Sequence, residues 1–200
     1  MIVALFLSQR SGCTLPNHNS PVPTVRFDAP VGTEKERNEG KWPPGQWTDA
    51  NPFGRSYFLG LHTGSDLNLN EPTWDLDRFS PVFSVADGVV TFTGRLPDWG
   101  NVVIIRHLLE DGTLCYSRYG HIENIVVRTG QTVTRGQQIG VIGRARENSA
   151  YHLHIDFART SILERDPGHW PGWSKSLLQE HYIDPKVFIE ARHTVYGVQE

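Results

Sequence analysis

From residue 81 to residue 157 the chain is cut into short, β-branched apolar runs by turns, and no stretch keeps the 3.6-residue apolar period of a long helix. PVFSVA and VVTFT flank Asp87-Gly88, a dipeptide that favours a tight hairpin turn, so residues 81–93 are expected to be two paired strands. NVVIIRH (101–107) is a nearly continuous aliphatic run, which fits a strand buried on both faces. Glu110-Asp111-Gly112 turns the chain into TLCYSRYGHI (113–122), and Gly130, Gly136, Gly140 and Gly143 separate further short runs. The expected fold is all-β: a sandwich or flattened barrel of short antiparallel strands with one wet face. Short helical turns are expected at 177–180 and 185–192, the second capped by Asp184 with Pro185 at its first position.

Two hundred residues, 38% hydrophobic and 20% charged, suit one folded domain with a tail. A net charge of −3 gives no electrostatic basis for binding nucleic acid or an anionic membrane, so no nucleic-acid partner is expected. Cys13 and Cys115 are the only cysteines, which excludes a disulfide framework. The apolar run 2–7 is shorter than a signal-peptide core, yet Ser11-Gly12-Cys13 resembles the end of a bacterial lipoprotein signal. Two readings stand: a clipped signal with a lipid anchor at Cys13, or a frayed N-terminus. Residues 14–47, rich in Pro, Asn, Gly and charge, read as a linker or surface-hugging arm whose end is pinned by Trp42 and Trp47. The expected division is 1–40 as signal-like remnant and arm, and 41–200 as the folded domain. Its core spans about 51–159, with a docking segment at 160–200 and a surface excursion at 70–79.

The chemistry concentrates in YHLHIDF (151–157). As a strand it places His152, His154 and Asp156 on one face and Leu153, Ile155 and Phe157 on the other. Upstream, His62 and Asp66 form HxxxD around Gly64. Either signal alone is weak: nine histidines make a chance pair common, and a loop histidine bonded to a nearby aspartate accounts for HxxxD. Together, His62, Asp66 and His154 make a two-histidine, one-carboxylate set, which leaves a fourth tetrahedral position for water on a catalytic zinc. His152 is the natural proton acceptor and His121 a donor to the developing oxyanion. His107, ending an aliphatic strand, reads as structural and bonded to backbone. His18, His169, His181 and His193 receive no role, and Trp99, Trp170 and Trp173 stay unassigned as loop pins. The glycine hairpins also resemble lipoyl- and biotinyl-carrier domains, but no lysine lies between Lys41 and Lys175 to be modified.

GLHTGSDLN, VFSVADGVVTFTG, NVVIIRH, YGHI, VRTGQTVTRGQQIGVIG and YHLHIDF occur in that order. They resemble the lysostaphin/LytM-type zinc endopeptidases of bacterial cell walls, whose fold is the duplicated hybrid motif. The likeness covers roughly residues 51–159, and YIDPKVFI is similar to the family's closing segment. It implies one Zn2+ per chain on His62, Asp66 and His154, with His121 and His152 as the catalytic pair. It also implies a cleft beside the sheet tip around Tyr119, peptidoglycan stems or cross-bridges as substrate, and a monomer in the bacterial envelope or secreted. Residues 70–79 are longer than the family's usual link, and RARENSA (144–150) lacks its glycine-rich approach to the second histidine pair. Two rival readings are a non-catalytic module of the same fold that activates a cell-wall amidase, and a zinc endopeptidase acting on proteins. Regulatory modules of this kind typically lack a metal ligand, and this chain lacks none.

Overall fold

The computed structural model describes residues 23–69, 75–147 and 149–193. In chain order the elements are α1 (Glu34–Arg37), β1 (Thr48–Asn51), β2 (Ser56–Tyr57), β3 (Gly60–Leu61), β4 (Gly64–Asn68), β5 (Pro81–Phe83), β6 (Gly88–Leu96) and β7 (Gly100–Leu108). They continue with β8 (Leu114–Gly120), β9 (Ile122–Glu123), β10 (Thr132–Val133), β11 (Gln138–Ile142) and β12 (Leu153–Ala158). Then follow α2 (Ile162–Arg165), α3 (Lys175–His181), β13 (Tyr182–Ile183) and α4 (Pro185–His193). The main sheet runs β1-β4-β12-β8-β7-β6-β10, with β13 paired to the end of β12, and a smaller sheet runs β5-β11-β9. All of these pairings are antiparallel, as the all-β reading requires.

Strand parity explains the layers. Val103 and Ile105 of β7 join Ile155 and Phe157 of β12 in the main core, together with Val82, Ile139 and Ile142 of the small sheet. Val102 and Ile104 point the other way, into a second cluster with Trp99, Tyr116, Leu163, Leu178 and Tyr182. The aliphatic run is therefore buried on both faces, as its composition demands. The same cluster corrects the expected wet face: α2 and α3 cover much of it, because Leu163 and Leu178 need an apolar surface to bury against.

The expected hairpin about Asp87-Gly88 does not form. β5 pairs with β11 in the small sheet, whereas β6 pairs with β7 and β10 in the main one. The intervening residues cross between sheets, fixed by bonds from Ser84 N to Gln137 O (2.8 Å) and from Arg135 N to Asp87 Oδ1 (2.7 Å). Gly88 serves close packing instead: a Cβ there would stand 2.6 Å from Arg106 O and 2.8 Å from His107 Nδ1.

The arm expected before Gly40 supplies Phe27, Ala29 and Val31 to the main core. Phe27 meets Phe188 of α4 edge-on at 4.8 Å between ring centroids. A lone apolar residue every second position in a polar stretch hid this strand-like insertion. Trp42 and Trp47 are buried, as expected of pins. Asp184 caps α4 through Lys186 N (2.9 Å), and Ser174 opens α3 by accepting from Leu177 N (3.2 Å).

His107 is fully buried. Its Nδ1 donates to Asp87 O (2.8 Å) and its Nε2 meets Ser117 Oγ (2.7 Å), so the structural reading of this residue is the one observed. Burial pushes its pKa down to about 4. The unfolded chain therefore binds a proton at about pH 6.5 that the folded chain refuses. This contribution to stability is complete above that pH and is lost as pH falls toward 4. Between pH 7.5 and 5.0 the wild type should lose about 2 kcal/mol more unfolding free energy in urea than His107→Gln. An equal loss in both proteins would mean that the imidazole is not held neutral.

Candidate metal centre and cleft

β12 lies between β4 and β8, with His154 directly opposite Asp66 on one side and Gly120 on the other. Leu153, Ile155 and Phe157 point into the main core, which forces His154 and Asp156 onto the far face. Gly64 permits the approach of β4: a Cβ at that position would lie 2.0 Å from Ile155 O. The glycine inside HxxxD is thus part of a strand packed tightly against its neighbour, and His62 sits just before it.

The structure brings the three expected ligand residues together. His62 Nε2, Asp66 Oδ1 and His154 Nδ1 form a triangle with edges of 3.1, 3.0 and 3.0 Å. Donors about 2.0–2.2 Å from one tetrahedral ion stand roughly 3.3–3.6 Å apart, so this triangle need open only slightly to hold one. Both histidines are buried, and Asn51 Nδ2 donates to the outer carboxylate oxygen of Asp66 (3.1 Å).

His154 Nε2 faces Asp156 Oδ2 at 3.1 Å. A carboxylate only accepts, so this nitrogen carries a proton; Nδ1 faces the Asp66 carboxylate at 3.0 Å, where a proton or a cation between them satisfies both groups. Asp156 is in turn held by Thr63 Oγ1 (2.7 Å) and by Arg118 Nη2 (2.5 Å). Burial opposes a charge on His154, but hydrogen bonds with Asp156 and Asp66 outweigh it and raise its pKa. The carboxylates that favour a proton there favour a cation equally. Burial likewise works against the Asp66 carboxylate, yet its bonds with His154 and His62 hold it well below the usual range. His62 Nδ1 is buried with no partner among the described residues, which leaves Nε2 as the engaged nitrogen of that ring. Two imidazole nitrogens and one carboxylate oxygen with converging lone pairs fit a small divalent cation.

His121 and His152 stand beside this triangle with ring centroids 4.5 Å apart. Each donates from Nδ1 to a backbone carbonyl: His121 to Trp99 O (2.9 Å) and His152 to Ala150 O (3.1 Å). Both therefore present an unprotonated Nε2. Burial, followed by the charges of His152 and His154, pushes His121 well below its ordinary value. Burial also lowers His152, partly offset by Asp66, whose Oδ1 is 3.7 Å from His152 Nε2. His121 holds its place with φ of 63°, in the left-handed region, because Trp99 O also accepts from its backbone N (3.0 Å).

The five residues floor a cleft of about 430 Å3. Tyr57, Phe58 and Leu59 form an apolar part of its lining, with Tyr57 5.4 Å from the Trp170 ring. Asp98, Arg146 and Ser149 supply a polar part. Trp99 and Trp170, unassigned from sequence, both line the cleft, and Trp99 lies 5.0 Å from the His154 ring. Tyr119 does not: its side chain is buried in the main core and accepts from Val85 N (2.9 Å), because odd positions of β8 face inward there. The excursion at 70–79 falls partly outside the described residues, and Phe79 packs on Tyr151 (6.0 Å).

Sequence reasoning passed over Asn51, Asp156 and Arg118. Asp156 carried a usable signal, two residues after His154 on the same face. Arg118 carried none, since a single arginine in a short strand reads as solvated.

Comparison with known proteins places the geometry in a family. Over 95 residues the chain is 37% identical to the peptidoglycan DD-endopeptidase ShyA of Vibrio cholerae, covering 48% of this chain and 20% of that protein. It is 36% identical over 96 residues to the DD-carboxypeptidase/endopeptidase Mpg of Neisseria meningitidis, covering 48% of this chain and 20% of that one. The chain thus spans about a fifth of the length of these curated relatives. In fold it is similar to CbpA of L. salivarius REN, with TM-score 0.59, 21% identity, and 84% and 97% of the two chains covered. It is also similar to lysostaphin of Staphylococcus simulans, with TM-score 0.53, 21% identity, and 77% and 54% covered. Residues 60–167, more than half the chain and all of β3 through β12, match Peptidase family M23, and the chain belongs to that family.

Proposed function

We propose that this protein is a zinc-dependent endopeptidase that hydrolyses peptide bonds of bacterial peptidoglycan in the cell envelope or outside the cell. The observation that carries this reading is the triangle of His62 Nε2, Asp66 Oδ1 and His154 Nδ1, set beside two neutral imidazoles that both offer Nε2. His62, Asp66 and His154 would hold the zinc, with Asp156 fixing the tautomer of His154 and Asn51 the carboxylate of Asp66. When bound, zinc supplies Lewis acidity, which makes a water acidic near neutral pH and polarises the scissile carbonyl.

The remaining work falls to the two histidines. His152 Nε2 accepts the proton of the attacking water, because its Nδ1 is already committed to Ala150 O. The imidazolium so formed is stabilised by Asp66 Oδ1 at 3.7 Å and returns the proton to the leaving nitrogen. His121 is less suited to hold that charge, since His152 and His154 oppose it. It offers a second Nε2 that orients the water and, when it shares the proton, donates to the oxyanion. The rival reading as a non-catalytic activator of an amidase would leave this complete constellation without a task.

Purified peptidoglycan incubated with the protein should release new amino groups, a chelator should abolish the release, and added zinc should restore it. Persistent release after metal removal would exclude the metallopeptidase. His152→Ala should lower kcat by about 10²–10⁴-fold while retaining stoichiometric zinc, as expected for loss of a proton acceptor. Loss of zinc from that variant would instead make His152 a ligand. Asp156→Asn keeps an acceptor for His154 but removes the charge. It should weaken zinc binding by about 10–100-fold in competition with a chromophoric chelator, and unchanged affinity would show that Asp156 does not orient the ligand.

A further inference from the structure

The side chains on the floor of the cleft are one carboxylate, four imidazoles and the Trp99 and Trp170 rings. Among the described residues that line it, Arg146 is the only lysine or arginine. Its guanidinium is paired with Asp98, and the two side chains are 58% and 52% exposed. An ion pair this exposed contributes little to stability, so neither fold nor loop depends on it. The backbone beneath Arg146 is secured separately. Its N donates to Ser149 Oγ (3.0 Å), and Ser149 returns bonds from Oγ (2.9 Å) and N (3.1 Å) to Arg146 O. Asp98 directly precedes Trp99, whose carbonyl fixes His121. The pair is therefore attached to the wall that carries the catalytic imidazole.

We infer that Arg146 is a specificity-determining residue that receives a free carboxylate of the peptide substrate, with Asp98 holding the guanidinium until that carboxylate replaces it. This inference rests on the reading of the protein as a wall endopeptidase and narrows its substrates to stem peptides that keep an unamidated carboxylate beside the scissile amide. The chemistry favours the exchange. A planar guanidinium forms two parallel bonds with a carboxylate, and the group it already holds at the cleft is one. Asp98 repels an incoming anion, so without Arg146 this part of the rim would disfavour a peptide carboxylate. With Arg146 engaged by the substrate, Asp98 is released to solvent at small cost because it is half exposed already.

The test uses two synthetic cross-linked stem-peptide dimers, identical except that the carboxyl beside the scissile amide is free in one and a carboxamide in the other. The wild type should cleave the acid with a KM about tenfold or more below that of the amide, the difference expected of a charge-assisted bond. Arg146→Ala should raise KM for the acid to that of the amide, leave the amide unaffected, and retain zinc and kcat. Asp98→Asn, which frees the guanidinium, should lower KM for the acid alone. Wild-type cleavage of both dimers with equal KM, or shifts by Arg146→Ala that are the same for both, would overturn the inference while leaving the endopeptidase intact. Cleavage of neither dimer by the zinc-loaded wild type would overturn the endopeptidase reading and the inference with it.

Discussion

The buried ion pair of Arg118 and Asp156 is the constraint on which the site depends. Both side chains have no exposed surface. Removing two charges from water costs several kcal/mol per ion, and such a pair is tolerated only where further hydrogen bonds satisfy each partner. Here they do. Asp156 accepts from Arg118, Thr63 and His154, while Arg118 Nη1 donates to Pro167 O and His169 O, both at 3.0 Å. The guanidinium also lies 3.7 Å from the centre of the Trp99 ring. One pair thereby fixes the orientation of His154, the ring beside it and the chain segment that leads to Trp170. Loss of either partner would leave an uncompensated buried charge, a cost of about 3–5 kcal/mol.

A second device repeats at the His121 and His152 imidazoles, the proposed catalytic pair. A backbone carbonyl takes the Nδ1 proton of each, and the opposite nitrogen is left bare toward the cleft. For His152 this needs only the turn that precedes β12. For His121 it requires a left-handed backbone, a cost of order 1 kcal/mol or more that the surrounding bonds must offset. Trp99 O accepting from both N and Nδ1 of His121, and Gly143 N donating to His121 O (2.7 Å), are those bonds. Tautomers set by the main chain do not drift with side-chain motion, so the two bare nitrogens are preorganised toward the cleft.

What the sequence disclosed follows from how local each signal was. The parity of YHLHIDF settles which residues of β12 face the core, and HxxxD on a neighbouring strand needs only the register of one pairing to meet it. The hairpin about Asp87-Gly88 failed because turn propensity is local, whereas the partner of β5 lies more than fifty residues away in β11. Phe27 was passed over because its partners, Phe157 and Phe188, come from the other end of the chain. Arg118 was invisible for the same reason: its meaning comes from Asp156 across the sheet and from two carbonyls some fifty residues away.

The same distinction separates the parts of the cleft. Its floor is made by strands whose opposite faces fill the main core, so His62, His154 and Asp156 cannot move without repacking Leu67, Leu153 and Ile155. Its rim carries exposed side chains: Phe58 is 76% exposed, and Asp98 and Arg146 are about half exposed. A substitution on the floor must satisfy a fully bonded buried charge and core packing together and, on the proposed reading, metal geometry as well. A substitution at one of the exposed rim side chains costs the fold little, because loops held above a rigid scaffold tolerate change. On the proposed reading, bond cleavage falls to groups held by the sheet, and choice of peptide to exposed rim side chains such as Phe58, Asp98 and Arg146.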